Sequence, residues 1–145
     1  MHAPTAAVLF CTAVLPFTAR DCDPNTPDPV SIYPSVEICS GTEIDTYDLE
    51  SFEIAGDEVD IGVMYSGGCA NHGFTLCWDG SWSRSDPKIV NLDLVHDANG
   101  DTCEAWISDE LTFDVHLIQE EILVDYYWEY RANLRLEGET VMYYF

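Results

Sequence analysis

From residue 51 onward, apolar and polar side chains alternate in short runs separated by Gly, Asp and Asn. A period of two is the mark of half-buried β-strands. The stretch SFEIAGDEVDIGVMYSGG divides into two strands at Gly56 and Asp57, and Val59, Ile61, Val63 and Tyr65 share one face of the second. Phe74, Leu76 and Trp78 line the strand HGFTLCW, and Val90, Leu92 and Leu94 line KIVNLDLVH, with the turn-rich WDGSWSRSDP between them. Leu111, Phe113, Val115 and Leu117 alternate through ELTFDVHL. Then the period changes. Ile118, Ile122, Leu123, Tyr126, Tyr127 and Tyr130 recur at helical spacing, which predicts a helix from about Ile118 to Arg131. The closing ANLRLEGETVMYYF reads as a hairpin turning near Glu137, Gly138 and Glu139. Short strands at regular spacing predict an all-β fold, an antiparallel β-sandwich of about seven strands with one short helix in its C-terminal half.

The 145 residues suit one domain. Ala6 to Phe17 form an apolar run of signal-peptide length, too short to span a bilayer. Residues 1–19 therefore read as a signal peptide, 20–40 as a Pro- and Asp-rich linker or strap, and 41–145 as the sandwich. A lipid anchor at Cys22 is the alternative to free secretion, although TARD before it lacks the small residues that lipid attachment requires. No later segment is predicted to cross a membrane. These features place the protein outside the cytoplasm, secreted or held at the cell envelope.

Charge narrows the partners. With 27 acidic against 5 basic residues and a net charge of −22, the chain repels nucleic acid and anionic membrane surfaces. Cations, an envelope protein or a glycan remain open as partners.

Export decides how the six cysteines are read, because disulfides form and persist outside the cytoplasm. Cys11 falls in the leader; Cys22, Cys39, Cys69, Cys77 and Cys103 remain. Pairing Trp78 with Val90 across an antiparallel hairpin sets Phe74 opposite Leu94 and His72 opposite His96, both imidazoles on the apolar face. Cys69 and Cys103 then lie in loops at the same end. A Cys69–Cys103 disulfide is the expected outcome, with a Cys22–Cys39 bridge pinning the strap as a second pairing. A metal centre for zinc or copper built from Cys69, His72, His96 and Cys103 is the alternative. Cys77, of opposite parity to Leu76 and Trp78, reads as a buried inert thiol.

The pattern YSGGCxxHxFxL, followed by LxHDxNGDxCEA and LxFDV across residues 59 to 117, resembles a family of uncharacterised secreted and lipoprotein-like bacterial proteins. The resemblance implies that Cys69, His72, His96, Asp101 and Cys103 form one constellation, and it brings no function with it. In DANGDTCE, Asp97, Asn99 and Asp101 stand at alternate positions, as at the opening of a calcium loop. But Thr102 stands where the turn glycine belongs and Ser108 where the bidentate acid belongs, and such clusters commonly cap their own turns. No nucleophile-elbow pattern surrounds Ser81 or Ser83, so the reading leans away from an enzyme. Trp82, in a polar loop, is the candidate aromatic for a carbohydrate ligand. The expectation is an exported structural or interaction domain of the cell envelope, needing no cofactor, with metal binding or carbohydrate binding as alternatives.

Overall fold

The computed structural model describes residues 31–41, 45–126, 128 and 130–145. The signal-peptide reading, Cys22 and the first part of the strap lie outside these residues. Eight strands and one helix follow in order: β1 (Glu37–Ile38), β2 (Asp48–Ala55), β3 (Glu58–Gly67), β4 (Gly73–Trp78), β5 (Lys88–Asp97), β6 (Ala105–Asp114), α1 (His116–Asp125), β7 (Arg131–Leu136) and β8 (Glu139–Tyr144). They build two sheets, β1-β4-β5-β7-β8 and β2-β3-β6. The all-β sandwich with one helix is thus as expected. Two neighbouring pairs, β1 with β4 and β5 with β7, run parallel. The second of these follows from a long crossover through β6 and α1, which brings the chain back beside β5 in the same direction.

Alternation becomes burial. Val59, Ile61 and Val63 of β3 are fully enclosed, as are Leu76 of β4, Val90 of β5, and Ala132, Leu134 and Leu136 of β7. The β2–β3 turn falls at Gly56 and Asp57, with Gly56 at φ +64°. At the β7–β8 turn Glu137 and Gly138 both have positive φ, the backbone of a tight two-residue hairpin.

Four sequence expectations need correction. The β4–β5 register pairs Phe74 with His96, Leu76 with Leu94 and Trp78 with Leu92, two residues from the expected match. The loop explains the slip: Ser83 and Ile89 bond to each other through backbone and side chain, so residues 83–89 close on themselves beyond the hairpin. An even slip preserves which side chains face inward. The helix runs from His116 to Asp125, earlier and shorter than expected. Asp114 stops the strand by accepting the His116 N–H through its carboxylate, so Leu117 is helical; consecutive aromatics after Asp125 propagate a helix poorly. The sandwich also starts before residue 41. Val36 is buried, its N–H bonds to the Asp114 carbonyl, and β1 then joins β4, so residues 34–38 pass from one sheet to the other. Finally, Cys39 bonds to Cys77 rather than to Cys22, because β1 sets Glu37 beside Cys77 and brings the two Cα atoms to 5.1 Å.

Candidate functional site

The inward row of β5 ends at His96, which is 1% exposed. His72 precedes β4 by one residue, and the hairpin brings its Nδ1 to 2.7 Å from His96 Nε2. The two rings stack at 4.9 Å, and Tyr65 of β3 and Phe74 of β4 close over them. On the far side, His96 Nδ1 lies 3.1 Å from the Thr46 carbonyl, and His72 Nε2 lies 3.2 Å from Asp101 Oδ2.

Asp101 anchors this row. Three consecutive N–H groups, of Gly68, Cys69 and Ala70, donate to its Oδ2 at 2.8–2.9 Å, and the Cys103 N–H donates to its Oδ1 at 2.8 Å. Successive amides converging on one oxygen form an anion nest. Gly68, at φ +115°, supplies the backbone conformation that such a concavity needs. These donors, Cys103 and Ala70 foremost, together with His72, hold the Asp101 carboxyl well below the usual carboxylate range. The Asp101 and His72 side chains are 0% and 1% exposed.

The hydrogen-bond directions follow from which atoms can only accept. The Thr46 carbonyl requires a proton on His96 Nδ1, and the Asp101 carboxylate requires one on His72 Nε2. The 2.7 Å contact between the rings requires a third.

Cys69 and Cys103 are joined in a disulfide that ties the nest loop to the Asp101 loop. Their sulfurs and an Asp101 oxygen do converge, but sulfurs bonded to each other are not thiolate ligands. The facing nitrogens of His72 and His96 are engaged with each other. Asp97 Oδ1 accepts the Asn99 N–H, Asn99 Nδ2 donates to the Asn71 carbonyl, and Asp101 fills the nest. Against the constellation opens an acidic cleft of about 260 Å³, lined by His96 and Asp101 themselves with Asp45, Ser66 and Glu104, and the Asp45 carboxylate accepts the Ala98 N–H there.

Trp82 is half-buried and stacks on Trp78 at 5.9 Å, so its ring extends the core. Among the described residues the exposed large aromatics are Tyr33, Trp106, Trp128, Tyr130 and Tyr144. Helical periodicity assigns Tyr130 to a helix, whereas it lies outside regular structure, directly before β7.

No family model matches this chain, and no curated protein matches it. Among solved structures, it is similar to a NigD-like immunity protein from Bacteroides caccae, with a TM-score of 0.55 at 17% identity over 76% of this chain and 57% of that one. A protein of unknown function from Bacteroides vulgatus gives 0.44 at 15% identity, over 71% of this chain and 48% of that one. A candidate lipoprotein from Bacteroides fragilis gives 0.46 at 11%, over 85% and 66%. This chain spans little more than half the length of the first of these. At such identities the likeness to the first is one of fold.

Proposed function

We propose that this chain is an exported, non-catalytic domain of the bacterial cell envelope that acts through binding, and that its His–Asp constellation is a structural clamp. The observation that carries this reading is the closure of the constellation on the protein's own groups. The Asp101 oxygens and all four ring nitrogens of His72 and His96 have partners within the fold, and both the Asp101 and His72 side chains are shielded from solvent. A general base or nucleophile needs an open side toward substrate; this row has protein at each end. Two disulfides in a chain of this size support export. Among the described residues no helix is long and apolar enough to cross a membrane. The immunity-protein description belongs to the Bacteroides caccae neighbour; here it supports testing a protein partner first.

The reading is tested by expressing the whole chain in a bacterial host, fractionating the cells and alkylating thiols before lysis. Recovery from the envelope or medium with Cys39, Cys69, Cys77 and Cys103 unlabelled is expected. Recovery from the cytoplasm with those four cysteines labelled would overturn it.

A further inference from the structure

The chain's only lysine sits where an apolar residue is expected. Lys88 opens β5 on the inward face shared by Val90, Leu92, Leu94 and His96, and it is 7% exposed. Its Nζ lies 4.2 Å from the centroid of the Tyr126 ring, and no carboxylate among the described residues forms an ion pair with it. An ammonium so largely enclosed loses part of its hydration, and a ring face offsets only part of that loss. In a chain with 27 acidic residues, a missing partner is not a matter of supply.

Lys88 borders a cleft of about 300 Å³. Arg84 and Arg131 also line it, which gathers three of the chain's five basic residues around one opening. Arg131 reaches Asp86, a carboxylate on the same cleft, at 3.4 Å through Nη2 and lies 5.5 Å from the Tyr130 ring centroid, while its Nε is buried with no hydrogen-bond partner. A buried cationic donor without a partner therefore stands beside the Lys88 ammonium. Trp128 and Tyr130, 63% and 57% exposed, supply aromatic surface on the same cleft.

We propose that this cleft binds a carboxylated sugar ring, with the carboxylate held by Lys88 and Arg131 and the ring against Trp128 and Tyr130. Exposed aromatic faces beside a guanidinium and an ammonium suit a flat, partly apolar ring that carries one oxyanion. The cleft volume is at the small end of ligand sites, enough for one ring. The surrounding charge of −22 opposes a polyanion and leaves a compact single charge as the fitting partner. This inference does not depend on the clamp.

The test is ligand-observed NMR and calorimetry on the oxidised protein with glucuronate, glucose and inorganic phosphate. Glucuronate is expected to bind about tenfold or more tightly than glucose, and phosphate more weakly than glucuronate. Lys88→Met should erase that preference while melting close to the wild-type temperature, since methionine keeps the apolar stem of the lysine side chain. Trp128→Ala should weaken glucuronate binding several-fold. Equal binding of glucose and glucuronate, preference for phosphate, or no binding of any of the three would overturn the proposal. So would a large loss of stability in Lys88→Met, which would make the lysine a structural residue.

Discussion

Gly67→Ala probes the clamp at its tightest point. A Cβ added at Gly67 meets His72 Nε2 at 2.5 Å, His72 Cε1 at 2.7 Å and Asp101 Oδ2 at 3.2 Å. The backbone there lies outside the left-handed region, so the effect isolates the clash. Reaching ordinary contact at 3.4 Å means moving the imidazole by about 0.9 Å. The ring has little room, with Tyr65 at 4.6 Å and His96 stacked at 4.9 Å. A shift of that size carries the 3.2 Å contact with Asp101 or the 2.7 Å contact with His96 past hydrogen-bond range. An unsatisfied buried polar group costs about 1–3 kcal/mol and overpacking about 1–3 more. The lower entropy of the unfolded alanine chain returns roughly 0.5 kcal/mol. The net loss is about 2–5 kcal/mol, and at roughly 3–5 °C per kcal/mol the melting temperature falls by about 10–20 °C. Gly73→Ala is the control, since its nearest atom would be Asp97 Cβ at 3.9 Å. Urea unfolding of Gly67→Ala, His72→Ala and the double variant completes the cycle, because without the imidazole the new methyl has space. Wild-type stability in Gly67→Ala, or an undiminished cost in the His72→Ala background, would refute the reasoning.

Other outcomes follow from the same geometry. The folded state holds the Asp101 carboxyl below its ordinary value, so its contribution is present above about pH 4 and is lost as pH falls further. Asp101→Asn should melt lower than wild type at pH 7, with the gap narrowing toward pH 2; parallel melting curves across that range would contradict it. The Cys39–Cys77 bridge closes a loop with a sequence separation of 38, for which chain entropy gives about 4 kcal/mol. Cys39→Ser with Cys77→Ser should lose about that much in urea unfolding, and an unchanged midpoint would show that β1 docks without its bridge. Tyr143 donates to Asp57 Oδ1 at 2.6 Å, with burial and that carboxylate both pushing its phenol up. Tyr143→Phe should cost about 1 kcal/mol, since exposed Asp57 can rehydrate. A loss of several kcal/mol would show the hydroxyl to matter beyond its contacts with Asp57 and, at 3.2 Å, Gln119 Oε1.

Parity made much of this fold legible. A period of two assigns inward and outward faces whatever the register, so a two-residue slip between β4 and β5 still left His72 and His96 facing each other. The juxtaposition of Cys69 with Cys103 survived for the same reason. What parity does not encode is a strand of two residues such as β1, which exists because Val36 and Cys39 anchor it on either side. Nor does it show a carboxylate turned toward backbone amides. DANGDTCE offered Asp101 as a metal ligand by composition, whereas its partners are N–H groups some thirty residues away. Lys88 shares the apolar parity of Val90 and Leu92, and its burial came from a loop the sequence had read as helix.

The central claim, that His72, His96 and Asp101 form a clamp satisfied from within, is tested most directly by ¹⁵N NMR of the imidazole rings in the oxidised protein. A coupling across the His72 Nδ1 to His96 Nε2 hydrogen bond, an N–H on each of the nitrogens facing Asp101 and Thr46, and no change on adding zinc are expected. Two neutral rings with a bare nitrogen facing Asp101, or ring signals that move on zinc addition, would contradict it.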